Sequence, residues 1–177
     1  MTESQREEND VEQGDLRLLE DEVATQLLGS RIPARCAFVG TDGKPRIVAS
    51  WFNWTGTELV MPTFLSAPHI RHPPYRVRAL RANPEIAVSI DTESFPPQVL
   101  TVRGLAEIEE VDGIDPDYAE AARRYIGDEA ATDYLQQIDH PQTRMARIAV
   151  RPQWVGLLDF TSRMPSALGG VVPGGSE

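Results

Sequence analysis

Residues 86–109 read IAVSIDTESFPPQVLTVRGLAEIE, and this stretch decides the fold class. The apolar run IAVSI ends at Asp91, and QVLTVRGLAEIE begins a second, longer strand at Gln98. Gly104 lies in the middle of that strand and predicts a β-bulge, because an isolated glycine in a strand often marks one. Two strands in direct succession favour an antiparallel sheet, since a parallel pair needs a long crossover between its strands.

The pattern continues on both sides of this pair. Alternating apolar and turn residues predict strands over residues 34–40, 46–54, 58–61, 147–151 and 154–160. Helical spacing predicts a first helix that is capped by Asp15 and stopped by Gly29, and further helices over residues 75–81, 116–126 and 128–138. Residues 62–74 are predicted to form a loop. Strands mostly in meander order with a few helices predict an α+β domain built on a small antiparallel β-barrel.

The two ends of the chain differ from this domain in composition. Residues 1–15 are acidic and almost without apolar side chains, so they predict a disordered acidic tail. Residues 164–177 are rich in glycine and proline and predict a flexible tail. The folded domain is therefore expected over residues 16–163.

The composition narrows the class of protein. The 177 residues include 27 acidic and 17 basic side chains, for a formal charge of −10, which argues against nucleic acid and membrane surfaces as partners. No apolar run approaches the roughly 20 residues of a membrane span, and no secretory signal is recognisable. The single cysteine, Cys36, lies in an apolar strand and is expected to be a buried, inert thiol. We therefore expect a cytoplasmic protein.

One window departs from the acidic average. Residues 59–84 contain no carboxylate but four arginines and two histidines, so the remainder of the chain carries −14. Its basic residues are His69, Arg71, His72, Arg76, Arg78 and Arg81. One interpretation is a solvated helix face whose arginines pair with acids elsewhere. The other is an anion site, in which Arg76 at a helix start and Thr63 at a strand end hold a phosphate, with Arg46 within reach.

Motifs for other chemistries are missing from the sequence. There is no nucleophile elbow, phosphate loop or dinucleotide fingerprint. His69 and His72 are flanked by Pro68 and Pro73 and have no third ligand nearby, so no metal site is expected. Any catalysis would therefore have to come from a cofactor.

Five segments in this order resemble the pyridoxamine 5′-phosphate oxidase-like family of split β-barrel proteins, which bind flavin or deazaflavin. They are DGKPRIVASWF (42–52), ELVMPT (58–63), RVRALRANPEIAVSID (76–91), QVLTVRGLAEI (98–108) and RIAVRPQWVGLLDF (147–160). The resemblance covers about residues 20–163. It implies a split β-barrel with peripheral helices, a homodimer with a shared cofactor, and FMN or coenzyme F-420 as that cofactor.

The resemblance also implies roles for particular residues. Arg46, Val48 and Trp51 would line the isoalloxazine ring and phosphate, and Thr63 would bind the phosphate. Arg76 stands where the family usually has a lysine, Gln98 would face the flavin ring, and Arg163 would approach the substrate. No residue is identified as catalytic.

The chain departs from the family in two places. Residues 64–75 form a longer connection than is usual, which would reshape the pocket. The Arg and His pair of true pyridoxamine phosphate oxidases is not recognisable after Phe160, so vitamin B6 is not the expected substrate.

Three functions follow from these observations. The first is an oxidoreductase that transfers hydride or electrons between FMN or coenzyme F-420 and a small organic substrate. The second is a flavin- or deazaflavin-binding carrier without turnover. The third is a single-strand nucleic-acid barrel in which Trp51 and Trp54 stack on bases, against which the acidic charge counts. A half-open barrel also leaves apolar residues such as Val99 and Leu100 in need of cover, which favours a homodimer.

Overall fold

The computed structural model describes residues 11–165 and 171–173. The strands are β1 (Ala34–Val39), β2 (Pro45–Ser50), β3 (Asn53–Trp54), β4 (Leu59–Val60), β5 (Thr63–Ser66), β6 (Glu85–Asp91), β7 (Gln98–Asp112), β8 (Arg144–Asp159), β9 (Arg163–Pro165) and β10 (Val171–Pro173). A 3-10 helix covers Leu16–Glu20, and the α-helices are α1 (Glu22–Gly29), α2 (Tyr75–Ala82), α3 (Pro116–Ile126) and α4 (Asp128–Ile138).

All strands belong to one antiparallel sheet. Its main order is β10-β9-β8-β7-β6-β1-β2, which places β2 at one end. The long strand β8 pairs with β7 on one side and with β5, β4 and β9 in turn on the other. The α+β class and the split antiparallel barrel with peripheral helices are confirmed.

A β-bulge lies at the centre of the sheet, where Gly104 was expected to mark one. The register between β7 and β8 shifts between Arg103 and Gly104, and Gly104 faces Pro152. A Cβ atom on Gly104 would lie 2.3 Å from the carbonyl oxygen of Arg151, so only glycine fits. The prediction of two separate strands at 147–151 and 154–160 is wrong: β8 is continuous. Pro152 is tolerated inside it because it adjoins Gln153, the extra residue of the bulge, which has no partner on β7.

Two other strand predictions need correction. Residues 46–54 are not one strand, because β2 ends at Ser50 and β3 begins at Asn53. Trp51 and the fully buried Phe52 both contact the ring of Tyr125, whereas a continuous strand would point the two to opposite faces. The predicted loop at 62–74 begins with β5, whose Thr63 pairs with Ala146 of β8.

The N-terminal part begins to pack earlier than expected. The side-chain amide of Gln13 donates to the carbonyl of Leu157 at 2.7 Å and accepts from its N–H at 2.9 Å. The N–H of Gly14 donates to the carbonyl of Val155 at 2.7 Å. Residues 11–15 therefore contact β8 and are not part of a tail, while residues 1–10 lie outside the described residues. The predicted first helix is split at Asp21, whose carboxylate accepts from the N–H of Val23 and caps α1.

The core lies between the curled sheet and the helices. Its largest fully buried side chains include Phe52, Leu59, Ile90, Leu100 and Leu157. Leu100 is thus covered by its own chain and does not offer an uncovered face, which corrects the expectation for that residue. Within the predicted C-terminal tail, Val171–Pro173 pairs with Arg163–Pro165, and the other residues after Pro165 lie outside the described residues. No helix in the described part of the chain is long and apolar enough to cross a membrane.

Candidate functional site

A groove runs between β2, the start of β5, α2 and the helix pair α3–α4. It consists of two adjoining cavities that share Thr63 and Arg76. The first, here called the aromatic cavity, has a volume of about 350 Å³ and is also lined by Ala49, Ser50, Trp51, Pro62, Phe64, Tyr118 and Tyr134. The second, the strand cavity, has a volume of about 410 Å³ and is also lined by Phe38, Arg46, Ile47, Val48, Pro74 and Tyr75.

Arg76 is the central charge of the groove. It lies in the first turn of α2, with its side chain half-buried. Its Nε atom is buried without a hydrogen-bond partner, and within the described residues its guanidinium forms no ion pair. Burial lowers the pKa of Arg76. The described residues therefore leave the charge of this half-buried guanidinium unpaired, and an anion in the groove would pair with it.

Thr63 supplies a neutral donor beside this cation. It begins β5, and its half-buried side chain makes no hydrogen bond to any residue that the structure describes. A guanidinium and a free hydroxyl that line the same cavity are the groups that bind a phosphate by charge-assisted hydrogen bonds. The anion-site interpretation requires these two residues to be neighbours, and both line the same two cavities.

Arg46 and Val48 line the strand cavity on β2. Arg46 is not a free cation, because its Nη2 donates to the carboxylate of Asp42 at 2.8 Å. Both partners are substantially exposed, so this ion pair is weak and an incoming anion can compete with it. Val48 packs against the core and gives the cavity an apolar wall.

Trp51 lies at the centre of an aromatic cluster. Its ring stacks on that of Tyr125, with centroids 5.2 Å apart and an interplanar angle of 7°. Tyr118 and Tyr134 lie 6.2 and 6.4 Å away, and the Phe64 ring meets Tyr118 edge-on at 5.5 Å. This arrangement gives the aromatic cavity flat apolar walls.

The helix pair contributes residues that the sequence analysis missed. Tyr118 and Tyr134 line the aromatic cavity, and their hydroxyl oxygens lie 2.7 Å apart. The only signal in the sequence was that these two polar helices carry three tyrosines, which amphipathic burial alone would explain. Asp117 anchors α3 to the sheet by accepting from Arg147 at 3.0 Å and from Asn53 at 2.7 Å.

Gln98 lies outside this groove. Gln98 begins β7, where its backbone N–H donates to Thr92 and its Cα partner is Asp159. Three strand pairings separate it from β2, and it lines neither cavity. A single chain therefore does not bring Gln98 to Arg76 and Thr63. Arg163 begins β9, opposite Asp159, and the predicted role of its side chain lies outside what the structure describes.

The remaining basic residues of the window divide between the two interpretations. Arg81 pairs with Glu110 at 2.5 Å, as a solvated helix face requires. Arg78 is exposed and lies over the ring of Tyr75 at 5.0 Å, with no ion pair to a described residue. A third cavity of about 650 Å³, here called the outer cavity, adjoins the groove at Pro74 and Tyr75. It is also lined by Leu65, Ser66, His72, Pro73, Val77, Arg78, Arg81, Glu110 and Arg144.

Cys36 is buried beneath the groove, as expected. Its Sγ lies 2.9 Å from the sulfur of Met61, and burial raises the pKa of the thiol to about 12. His69 meets the Phe64 ring edge-on and His72 lies at the outer cavity. Among the described residues, no group of three or more His, Cys, Asp or Glu side chains is placed to hold a metal ion.

Comparison with known proteins identifies structural relatives. No family model and no curated protein matches the chain. Among solved structures, an F-420 reductase is similar at 28% identity over 73% of this chain and 93% of that one, with a TM-score of 0.56. A putative pyridoxamine 5′-phosphate oxidase from Listeria innocua is similar at 24% identity over 79% and 98%, with a TM-score of 0.53.

Other solved structures share the fold at lower identity. General stress protein 26 from Bacillus anthracis is 17% identical over 81% of this chain and 95% of that one, with a TM-score of 0.55. A heme binding protein from Mycobacterium smegmatis is 20% identical over 77% and 52%, with a TM-score of 0.51. Similarity at this level shows a common fold. A function has to be argued from the residues of the groove.

Proposed function

We propose that this chain, a split-barrel protein of the pyridoxamine 5′-phosphate oxidase-like kind, is an oxidoreductase that binds coenzyme F-420 or FMN in the groove. The observation that carries the proposal is the enclosed, unpaired Arg76 beside the free hydroxyl of Thr63. These two groups would hold the cofactor phosphate. The bound cofactor would supply hydride or electron transfer to or from a small organic substrate.

The chain's own part in this function is binding and orientation. The guanidinium of Arg76 would donate to the phosphate, and the Thr63 hydroxyl would add a second hydrogen bond. Val48 and Trp51 would give the isoalloxazine ring apolar neighbours, while Arg46 would exchange its exposed pairing with Asp42 for the cofactor. The helix pair α3–α4 would shield one side of the groove from water.

Of the two cofactors we favour coenzyme F-420. The phosphate of FMN ends the molecule, whereas the deazaflavin continues beyond its phosphate into a tail with several carboxylates. The outer cavity adjoins the groove at Pro74 and Tyr75 and carries Arg78 as a cation without a carboxylate partner among the described residues. The similarity to an F-420 reductase also supports this choice.

The first experiment is an absorbance spectrum of the purified protein, followed by titration with each cofactor while tryptophan fluorescence is recorded. Trp51 lines the groove, so a bound ring should quench its emission. We expect micromolar binding or tighter. Absence of binding by both cofactors would refute the proposal.

A second experiment distinguishes the two cofactors. Arg78→Met should weaken binding of F-420 by about 3- to 10-fold and leave FMN binding unchanged, because only the tail reaches the outer cavity. An equal loss for both cofactors, or none for F-420, would contradict the preference. Steady-state oxidation and reduction of a panel of quinones and enones then separates an enzyme from a carrier without turnover.

We also propose that the protein is a homodimer. Two large apolar side chains are strongly exposed in the single chain: Ile47 of β2 at 67% and Phe95 in the loop before β7 at 94%. A cofactor shared across an interface would be contacted by residues of both chains. Gln98 of one chain could then contact the cofactor bound in the groove of the other chain. Light scattering should give twice the chain mass, and Ile47→Glu should shift it towards the monomer.

A further inference from the structure

Arg124 of α3 is a half-buried cation that an aromatic ring and a backbone carbonyl hold in place. Its Nη2 donates to the carbonyl of Phe52, and its guanidinium carbon lies 4.5 Å from the centroid of the Phe52 ring. Its Nε is buried without a hydrogen-bond partner, and Arg124 forms no ion pair with any residue that the structure describes. The neighbouring Arg123, in contrast, is exposed and pairs with Glu120 at 2.6 Å. Two consecutive arginines of one helix therefore have different surroundings, and only Arg124 is directed towards the sheet.

The contacts of Arg124 lead to Trp51, the indole that lines the aromatic cavity. Phe52, whose carbonyl accepts from Arg124, directly follows Trp51 in the break between β2 and β3, so neither residue belongs to a strand. The guanidinium carbon also lies 5.1 Å from the centroid of the Tyr125 ring, on which the indole stacks at 5.2 Å. Arg124 thus contacts two supports of the indole, which are the backbone of the following residue and the ring behind it.

The ring of Tyr125 needs this second contact to keep its orientation. Its hydroxyl donates to the carbonyl of Ile32 at 3.0 Å, which fixes the far end of the ring but leaves rotation about the ring's long axis. Contacts with the Phe52 ring, edge-on at 6.3 Å, and with the guanidinium oppose that rotation. Because the indole of Trp51 is parallel to the Tyr125 ring within 7°, a rotation of one ring would tilt the other.

The orientation of the indole matters for a flat ligand. The function proposed above gives the Trp51 wall of the cavity to the cofactor ring, and the attraction between flat rings depends on their angle and offset. The residues assigned to the phosphate, Thr63 and Arg76, lie on β5 and α2 and do not depend on this part of α3. Arg124 itself lines neither the aromatic cavity nor the strand cavity, so it can act on a bound cofactor only through other residues.

We propose that Arg124 is the positioning residue that sets the orientation of the Trp51 indole and thereby the affinity for the ring of the bound cofactor. This inference rests on the proposed function, because it concerns the ring side of the same groove. It separates two contributions to binding: Arg124 controls the affinity for the ring, whereas Arg76 controls the affinity for the phosphate.

The first readout compares ligands with and without the phosphate. The full-length protein is titrated with FMN and riboflavin, and with coenzyme F-420 and its phosphate-free deazaflavin fragment. Arg124→Met keeps an unbranched stem but loses the cation, and it should weaken both members of a pair equally, by about 3- to 10-fold, the worth of an aromatic contact. Arg76→Met should instead reduce the preference for the phosphate-bearing member. Arg123→Met is the matched control on the same helix and should change neither affinity.

The second readout follows the indole without any cofactor. The chain has three tryptophans, so protein labelled with 5-fluorotryptophan gives three fluorine NMR signals, and Trp51→Phe identifies the signal of Trp51. Arg124→Met should move that signal, because the indole changes its position over the Tyr125 ring, and should leave the other two unchanged. A residue that contributes only to global stability would lower the Tm and leave the native Trp51 signal in place.

A conservative variant keeps the test decisive if Arg124→Met does not fold. Arg124→Lys retains the charge and one donor for the Phe52 carbonyl, so its signal shift and its loss of affinity should be smaller but of the same kind. An unmoved Trp51 signal in the folded variants would overturn the inference, as would an unchanged affinity or a loss confined to the phosphate-bearing ligands. Absence of cofactor binding by the wild-type protein would refute the proposed function, and the Trp51 signal alone would then decide whether Arg124 positions the indole.

Discussion

Replacement of Arg76 by methionine should weaken cofactor binding without lowering the stability of the cofactor-free protein. Methionine keeps a long, unbranched stem in the groove but removes the charge. The variant therefore separates the role of the guanidinium from the role of the packed side chain.

The expected loss of cofactor affinity follows from the hydrogen bonds that Arg76 can donate. Its guanidinium lines both cavities and forms no ion pair with a described residue, so at least one charge-assisted hydrogen bond is available to a phosphate. A hydrogen bond to a charged group contributes about 1.5–3 kcal/mol. Arg76→Met should therefore weaken cofactor binding about 10- to 150-fold.

The stability of the free protein should not fall. Burial lowers the pKa of Arg76, which means that the folded state disfavours its charged form. Replacing an enclosed ion by an apolar side chain is often neutral or stabilising. We expect the Tm of Arg76→Met without cofactor to be unchanged or to rise by a few degrees, since about 1 kcal/mol corresponds to about 2–4 °C in a chain of this length.

Fluorescence titration measures the affinity for the cofactor, and thermal unfolding with and without cofactor measures the Tm. Arg71→Met is the matched control, because it removes an exposed arginine of the same acid-free window that lines no part of the groove. It should change neither quantity. A lowered Tm of Arg76→Met together with unchanged affinity would refute the reasoning and return Arg76 to a structural role.

Three further predictions follow from the packing. Gly104→Ala should cost about 1–3 kcal/mol in the free energy of unfolding by urea, because its Cβ meets the Arg151 carbonyl, whereas Gly29→Ala has open space and should cost nothing. Arg147→Met should cost about 1–3 kcal/mol in the same assay, because Asp117 and Glu58, each 17% exposed, lose their ion-pair partner. An unchanged free energy of unfolding would show that α3 is held by its apolar contacts alone. Cys36 should resist iodoacetamide at pH 8.5 in the native protein and react at once in urea, since a pKa of about 12 leaves almost no thiolate; rapid native labelling would contradict this.

The elements that could be predicted from the sequence are those that local chemistry determines. The two helices at 116–126 and 128–138 have the bounds that the sequence predicts, because Asp115 with Pro116 marks one start and Gly127 separates the pair. The bulge at Gly104 is predictable because a glycine inside a strand weakens it unless the backbone there needs a bulge or a close approach. Thr63 and Arg76 are predicted as neighbours by the anion-site interpretation and by the resemblance, although Thr63 begins β5 and does not end a strand.

What could not be predicted depends on contacts between distant segments. Pro152 stays inside a strand because the bulge of that strand, at Gln153, lies beside it. Tyr118 and Tyr134 become groove residues only because Asp117 and Arg147 hold α3 against the sheet. The pairing of Arg46 with Asp42 depends on the conformation of the turn between β1 and β2, which the sequence alone does not give.

The Gln13 amide also has a consequence for the protein in a crowded cell. It makes with Leu157 the two hydrogen bonds that a neighbouring strand would make, on the side of β8 between the partners β4 and β9. An unpaired strand edge is a template on which other chains assemble. The Gln13 side chain thus occupies the hydrogen-bonding groups of Leu157 that another chain could pair with. We expect Gln13→Ala to aggregate during storage before it loses any affinity for the cofactor.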